Sequence, residues 1–358
     1  MGGRFDRGPR SHPMSVSDPS ILPGGTTATA VPQGRGTVPL RVGYQGGPLA
    51  ALLADPQVLA VFGFGPDAPA ADPDPRYLHV GLAPVGGDAR WEVWRVDGAV
   101  EAGRESGVAW SRGGGLAFGA IEVDEAGAGG LARAAQAAYA TLLDHVEGRR
   151  RGRLVRLWNY LDAITEGQGD AERYRQFSIG RARGMDGRMR EYPAATAIGR
   201  RDGRRVLQVY WLAAAEPGTG IENPRQVSAY RYPRQYGPQP PSFARATLPA
   251  DPRLPLMLSG TASVVGHASA HPGDIRAQVA ETFRNLDSLV EAARARRPAL
   301  SPAIGSDSLL KAYVRHAEDA GPVASALAAR LPDPAQALVL VADICREDLL
   351  VEVDGFHA

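Results

Sequence analysis

The stretch LMLSGTASVVGHASAHPGDIRAQVAETFRNLDSLVEAARARR, residues 256–297, decides the fold prediction. A mostly apolar run leads through a glycine-containing loop into a segment whose apolar side chains recur at helical spacing. These side chains are Ile275, Val279, Phe283, Leu286 and Val290. Asp274, directly after Gly273, is a good N-cap for that segment. The stretch therefore predicts a strand, a loop and a helix.

The segments that follow complete a unit, and the earlier half of the chain repeats its order. SLLKAYVRHAED predicts a strand, PVASALAARL a short helix, and AQALVLVADIC with LLVEVDGF a terminal pair of strands. The earlier segments are GLAFGAIEVDEAGAGGLARAAQAAYATLLDHVEGRRR, RLVRLWNYLDAI, ERYRQFSIGRARG, PAATAIGRR and RRVLQVYWLAA. We therefore predict two β-α-β-α-β-β copies in an α+β fold, with mixed β-sheets and helices packed on one face.

Five further strands are predicted ahead of the first copy, in VPLRVGY, VLAVFGFG, YLHVGLAPVG, RWEVWRV and GVAWSRG. The N-terminus is rich in Gly, Pro, Ser and Thr, which is typical of a loose tail. We therefore predict a flexible tail over residues 1–36 and an N-terminal domain over residues 37–220, in which extra strands flank a degenerate copy. The second copy forms a C-terminal domain over residues 221–358.

Composition excludes several classes of partner. The chain has 40 Lys+Arg against 39 Asp+Glu, so its charge does not favour a nucleic acid. A single cysteine, Cys345, excludes an internal disulfide and fits a reducing cytoplasm, and no apolar run approaches the length of a membrane span. GHASAH has no acidic third metal ligand nearby. We expect a cytoplasmic monomer or small homo-oligomer without a membrane, nucleic-acid, metal or cofactor partner.

The terminal strand carries one unexpected charge. In LLVEVDGF, Glu352 lies among apolar residues, where a carboxylate is costly unless something uses it. Its counterpart in the first copy is Gln208, in VLQVYW, which cannot supply a proton. This asymmetry indicates one active site, built in the second copy with help from its neighbours.

Longer blocks of sequence point to known families. The second copy resembles the Rid/YjgF-type, chorismate-mutase-like fold in PSFARA, LMLSGTAS, DIRAQVAETFRNLDSLVEA, LLKAYVRHAED and LLVEVDGF. From about residue 157 onward, other blocks closely resemble the chorismatases: NYLDAITEG, ERYRQFSIGRARG, PAATAIG, IENPRQVSAYRYPRQYGPQPPSFARA, LSGTASVVGH and ADICREDLLVEVDG. The resemblance implies tandem Rid-like units and an enzyme that releases pyruvate from chorismate. It further implies 3-hydroxybenzoate as product and allows 4-hydroxybenzoate beside it.

Chorismate carries two carboxylates and an enol ether, so its site needs cationic groups and an acid. The resemblance implies that Glu352 is the general acid that protonates the enol-ether methylene. Burial would raise the pKa of this glutamate, and nearby arginines would oppose the rise. We expect Tyr230 as a hydrogen-bond donor and Arg225 as a carboxylate ligand. Arg315 would replace the arginine that Rid-type deaminases carry where this chain has Gln336.

The remaining candidate positions come from the same blocks. Arg181 is either a cross-copy contributor to the site or the solvated end of a helix. Tyr236 and Ser259 complete the expected substrate-binding set. Cys345 and Ala244 lie where chorismatase subtypes differ: the cysteine looks like the 3-hydroxybenzoate-forming type, and the alanine looks less like it. The alternative role for Cys345 is a small buried hydrophobe.

Three alternatives stay open. One is a chorismatase that forms the trans-3,4-dihydroxycyclohexadiene carboxylate. A second is a non-enzymatic Rid-like module that binds a small carboxylate. A third is a Rid-type imine hydrolase, against which Gln336 argues.

Overall fold

The computed structural model describes residues 39–86, 91–148, 152–189 and 191–358. The predicted tail, residues 1–36, lies outside the described residues. The first part of the chain forms one helix and five strands: β1 (Leu40–Gln45), α1 (Leu49–Leu53), β2 (Val58–Phe64), β3 (Tyr77–Val80), β4 (Ala83–Pro84) and β5 (Trp91–Val96).

The first predicted copy has the predicted order of elements. Two strands that extend its sheet precede it, β6 (Glu101–Glu105) and β7 (Val108–Gly113). The copy then runs β8 (Leu116–Asp124), α2 (Glu125–Ala128), α3 (Leu131–Gly148), β9 (Arg153–Asp162), α4 (Arg173–Met185), β10 (Ala194–Arg200) and β11 (Val206–Ala214). Apart from the one-turn helix α2, this is the β-α-β-α-β-β pattern.

The second copy follows the same order with short additions. It begins with β12 (Thr219–Ile221), β13 (Ala246–Leu248), β14 (Leu256–Ala262), β15 (Val264–Val265), β16 (Ala268–Ser269) and α5 (Ile275–Arg294). It ends with β17 (Ser308–Val314), α6 (Ala320–Ala328), β18 (Ala337–Val341), β19 (Asp343–Ile344) and β20 (Val351–His357). Asp274 caps α5, because its side chain accepts a hydrogen bond from the backbone of Ala277. The predicted α+β fold with mixed sheets is confirmed.

The extra strands at the start form a shortened third unit with the same sheet topology, which the sequence did not reveal. Its strand order is β1-β5-β2-β3, against β8-β11-β9-β10 in the first copy and β14-β20-β17-β18 in the second. In all three units the first and last strands are antiparallel, the last and second are antiparallel, and the second and third are parallel. Among the described residues of this unit α1 is the only α-helix, and its five residues are too few to show helical periodicity.

Short strands tie the units to one another. β4, from the first part of the chain, adds to the edge of the second copy by pairing with β18. β19, from the second copy, adds to the first copy by pairing with β10. Each side of the predicted domain boundary near residue 220 thus contributes one short strand to a sheet of the other side. The boundary itself stays a prediction.

An aromatic core joins the three sheets on their inner faces. Its largest members come from all three units: Phe62, Trp94, Phe118, Trp158, Tyr210 and Phe356. The rings of Trp158 and Tyr210 stack with centroids 4.8 Å apart. Burying a large apolar side chain contributes roughly 1.5–3 kcal/mol, so this shared core stabilises the three units together. Helices α3 and α5 cover the outer faces of the first and second copies.

Two buried ion pairs cross between units. Lys311 on β17 donates to Glu92 on β5 at 2.6 Å, and Arg156 on β9 donates to Asp354 on β20 at 3.2 Å. Burial alone would lower the pKa of Lys311, but Glu92 raises it above its usual value. Breaking one partner of such a pair leaves a buried charge uncompensated, so both pairs fix how the units meet.

Two kinds of feature are absent from the part of the chain that the structure describes. None of its helices is long and apolar enough to cross a membrane. No group of three or more His, Cys, Asp or Glu side chains there is placed to hold a metal ion.

Candidate functional site

A cavity of about 750 Å³ opens between the two copies. The first copy contributes residues between 165 and 181 and residues 195–197 of β10. The second contributes side chains between 232 and 245, alternate residues from 260 to 264, and the loop and strand from 345 to 352. The cavity is large enough for a small organic molecule, and it requires both copies.

Glu352 lies at the inner wall of this cavity. Its side chain comes from β20, where Tyr313 is its neighbour on β17 and Ala262 its neighbour on β14. The residue is only 5% exposed, and it belongs to the cavity lining. Burial raises the pKa of Glu352 to about 8, Asp354 adds to the rise, and three arginines oppose it. The group therefore holds its proton at neutral pH, as a general acid must.

Gly260 makes room for this carboxyl group. A Cβ atom at position 260 would overlap Oε1 of Glu352. The backbone N–H of Gly260 donates to Thr196 Oγ1 at 3.0 Å, so β14 of the second copy is tied to β10 of the first at this point. Position 260 therefore needs a glycine because a larger side chain would occupy the space of the Glu352 carboxyl, and not because of its backbone conformation.

Arg181 reaches the cavity from α4 of the first copy. This helix packs tightly on α3 because Gly180 and Gly184 have no Cβ atom. A Cβ at either position would overlap backbone atoms of α3. The Arg181 guanidinium stacks 5.0 Å from the centre of the Tyr139 ring and is 3% exposed. Its Nε and Nη2 atoms have no hydrogen-bond partner among the described residues. A buried cation with free donors on a cavity wall is suited to an anionic ligand.

Three further arginines line the cavity and were not predicted from the sequence: Arg175, which is paired with Glu172, Arg245 and Arg346. Arg245 donates to the Tyr232 hydroxyl at 2.6 Å, and its Nε has no partner in the described part of the chain. The guanidinium of Arg346 lies over the ring of Tyr236 at 4.1 Å. Arg245 and Arg346 directly follow residues that the sequence did single out, Ala244 and Cys345, and this adjacency was the available signal.

Cys345 lines the cavity as a neutral thiol. Burial raises its pKa to about 12, and Glu352 adds to the rise. The cysteine packs with Ala262, Val264 and Leu349, which also line the cavity. A protonated thiol is a poor nucleophile, so Cys345 shapes an apolar patch of the wall.

Tyr230, expected as a hydrogen-bond donor in the site, does not line the cavity, because Ala229–Arg231 form a turn of 3-10 helix. The turn moves Tyr230 to the surface, where its ring packs on Tyr192. Tyr232 points into the cavity in its place. Tyr236 lies in the cavity wall as expected, with its hydroxyl 3.2 Å from Nδ1 of His267.

Arg225 and Arg315 are also outside the cavity lining, because internal partners occupy them. Arg225 forms an ion pair with Glu281 and donates to Asn285 at 2.9 Å. Arg315 donates to the backbone oxygens of Ile344, Arg346 and Leu349, each at 2.8 Å. The structure therefore makes Arg315 a support for the loop that carries Cys345 and Arg346.

Ala244 and Ser259 lie beside the cavity with their side chains on its outer side. In the extended segment around Ala244, alternation turns Phe243 and Arg245 toward the cavity and the alanine away from it. Ser259 donates to the Ala244 carbonyl at 2.6 Å and accepts from the Ala195 backbone at 2.9 Å. These contacts join the two copies.

The chain is similar to several known proteins. The family model described as chorismatase FkbO/Hyg5-like, N-terminal, matches residues 92–213. A chorismatase of Streptomyces rapamycinicus is 38% identical over 277 residues, which is 75% of this chain and 82% of the relative. A 3-hydroxybenzoate synthase of Streptomyces hygroscopicus is 36% identical over 276 residues, 74% of this chain and 80% of the relative. A chorismatase crystal structure aligns with a TM-score of 0.77 and 33% identity over 89% of this chain and 98% of that one.

Proposed function

The chain belongs to the chorismatase family, and we propose that it releases the enolpyruvyl group of chorismate as pyruvate and forms 3-hydroxybenzoate. One observation carries the proposal: Glu352, a carboxyl group that holds its proton at neutral pH, faces a cavity lined by arginines. Both the acid and the cations that such a reaction requires are then present in one place.

Glu352 is the acid of the first step. It gives its proton to the methylene carbon of the enol ether, and positive charge develops on the carbon that bears the ether oxygen. The bond between this oxygen and the ring then breaks, and its electron pair becomes part of the pyruvate carbonyl. The neighbouring ring hydroxyl oxygen bonds to the ring carbon that loses pyruvate, and its bond to the ring carbon that first carried it breaks. The carbon that receives the oxygen then loses its hydrogen as a proton, which gives the aromatic product. That proton restores Glu352, so the atoms balance without water, metal or redox cofactor.

The arginines hold the two carboxylates of the substrate. Arg181 offers two buried donors without partners, and Arg245 offers one. Arg346, held over Tyr236, adds a third cation on the side of the loop. A hydrogen bond to a charged group contributes roughly 1.5–3 kcal/mol, so these residues orient the enol ether toward Glu352.

Cys345 favours the aromatic product by keeping water from the ring. Its neutral thiol forms an apolar patch with Ala262, Val264 and Leu349. A dihydroxycyclohexadiene product consumes a water molecule, whereas the hydroxybenzoate does not. An apolar wall disfavours an ordered water there and leaves the internal hydroxyl as the nucleophile.

Incubation with chorismate tests the function. Pyruvate is measured with a coupled lactate dehydrogenase assay, and the ring product is identified by chromatography. We expect 3-hydroxybenzoate and pyruvate in equal amounts. Folded protein that is stabilised by chorismate without releasing pyruvate would be a binding module and would refute the proposal. Pyruvate with a dihydroxycyclohexadiene carboxylate would retain the family and refute the assigned product.

We also propose that the chain works in the cytoplasm as a monomer or small homo-oligomer. The cysteine is free, and one chain supplies every residue named above in the cavity. Light scattering on the active fraction measures the oligomeric state.

A further inference from the structure

Asp354 is a buried carboxylate with a dense set of donors, two residues after Glu352 on the same face of β20. It is 1% exposed and does not line the cavity. One of its oxygens, Oδ2, accepts four hydrogen bonds of 2.8–3.2 Å, from Thr196 Oγ1, Trp158 Nε1, Tyr313 OH and Arg156 Nη2. Four donors, one of them cationic, therefore converge on a single carboxyl oxygen.

A row of tyrosines also points at Asp354. The hydroxyl groups of Tyr210 and Tyr160 lie 3.4 Å apart, and those of Tyr160 and Tyr313 lie 3.1 Å apart. All three bonds are satisfied when each hydroxyl donates to the next and Tyr313 donates to Asp354. Burial, and after it the charge of Asp354, raise the pKa of Tyr313, so this row donates without losing its protons.

Thr196 connects this carboxylate to the backbone of Gly260, which contacts the Glu352 side chain. Its hydroxyl donates to Asp354 at 2.8 Å and accepts from the backbone N–H of Gly260 at 3.0 Å. Gly260 is the residue against which the Glu352 carboxyl rests. A continuous path of contacts therefore runs from Asp354 through Thr196 and Gly260 to Glu352.

The charges that face Glu352 come from several elements. Arg156 lies on β9, Arg245 just before β13, and Arg346 in the loop after β19. These three cations favour the carboxylate form of Glu352. Two uncharged titratable groups, the thiol of Cys345 and the phenol of Tyr174, also interact with Glu352. Asp354 is the negative charge that opposes the three cations.

We propose that Asp354 is a positioning residue for Glu352. Its fixed negative charge keeps the proton on Glu352, and its bond to Thr196 fixes the Gly260 backbone under that carboxyl. Only the kinetic test of this inference rests on the proposed function, because it requires that the protein turns over chorismate. It assigns no contact with substrate to Asp354.

Asp354→Asn tests the charge. Glu352 must be protonated to act, so the activity falls above its pKa, and removing the neighbouring negative charge lowers that pKa. We expect the alkaline limb of the kcat/KM profile to move to lower pH by about one unit. The infrared band of the protonated carboxyl, assigned by its loss in Glu352→Gln, should show the same shift without substrate. An unchanged midpoint in folded Asp354→Asn overturns the inference. If the wild type releases no pyruvate but Asp354→Asn still moves the infrared midpoint of Glu352 to lower pH, only the proposed function is overturned.

Thr196→Val tests the placement and decides the matter if Asp354→Asn does not fold. This variant keeps the charge of Asp354 but removes the bridge to Gly260. We expect kcat to fall at least about tenfold with KM nearly unchanged, and Thr196→Ser to restore kcat by restoring the hydroxyl. A loss of thermal stability with unchanged kcat would show a merely structural role and overturn the placement.

Discussion

Gln208 and Glu352 occupy the same place in two copies of one unit. Gln208 on β11 is paired with Tyr160 on one side and Glu122 on the other. Glu352 on β20 is paired with Tyr313 and Ala262. The strands, their directions and the tyrosine neighbour agree, so the two copies differ here in side chains and not in topology.

The difference lies in what surrounds each side chain. Gln208 donates to the Glu122 carboxylate at 2.7 Å and to the His79 carbonyl at 2.9 Å, so its amide is held in a closed, polar contact. Glu352 has Ala262 where Gln208 has Glu122, and the cavity lies where the longer side chain would extend. The small side chain of Ala262 thus leaves space for a ligand at the place that Glu122 fills in the first copy.

Glu352→Gln makes the second copy match the first and should have the largest effect. The amide is nearly isosteric but has no proton to give to carbon, so we expect kcat to fall at least about a thousandfold. Pyruvate release in the coupled assay measures it. Glu122→Gln, which removes a carboxylate at the matched site of the first copy, is the control and should keep wild-type kcat. A fully active Glu352→Gln would refute the assigned acid and leave the family assignment in place.

Gly260→Ala should have the second largest effect. The first copy carries Ala120 two residues before Glu122, as Gly260 stands two residues before Ala262. The new methyl group must displace the Glu352 carboxyl, and a shift of about 1 Å costs roughly a hundredfold in rate. Ala120→Gly is the matched control: it should lower the melting temperature without changing kcat. Equal kcat losses in the two variants would mean that strand stability, and not the carboxyl position, sets the rate.

The repeat was readable from the sequence because periodicity is local. The spacing of apolar residues predicted α3 and α5, and one aligned pair, Gln208 and Glu352, placed the site in the second copy. The registers of the two copies agree with that pairing. The third unit escaped detection because its helix α1 is a little more than one turn long.

The arginines were harder to place because their partners are distant in the chain. Arg225 forms an ion pair with Glu281, and Arg315 donates hydrogen bonds to carbonyls of a loop about thirty residues later, so both lie outside the cavity lining. Tyr230 was predicted as a donor in the site, but a single 3-10 turn puts it at the surface and leaves Tyr232 in the cavity wall. Local pattern predicts which residues are present near a site, but long-range partners decide which of them remain free for a ligand.

Arg181 and Arg225 offer a smaller test of the same comparison. Arg181 comes from the first copy and keeps free donors in the cavity, whereas Arg225 comes from the second copy and is already paired. We expect Arg181→Met to raise KM about tenfold to a hundredfold through the loss of a charged hydrogen bond. Arg225→Met should change KM little and lower stability, because it leaves Glu281 buried with weaker compensation. The opposite pattern, a high KM in Arg225→Met alone, would place the carboxylate site outside the cavity.

The smallest expected effect is on stability, and its sign separates the two copies. The pKa of Glu352 is raised to about 8 in the folded chain, so the folded state binds the proton more tightly than the unfolded state. The wild type therefore loses stability as the pH rises from the unfolded pKa of glutamic acid, about 4.3, to about 8. Glu352→Gln removes this loss, and its melting temperature should exceed that of the wild type by an amount that grows over this range.

Gln208→Glu should behave in the opposite way. It places a fully buried carboxyl beside the Glu122 carboxylate, so burial and like charge both raise the new pKa. The variant should lose a few degrees in melting temperature relative to the wild type as the pH rises, with no change in the rate of pyruvate release. Calorimetry at a series of pH values measures both variants. If Glu352→Gln were instead the less stable protein throughout, the native carboxyl would be ionised and paired, and the second copy would be closed in the way that the first copy is.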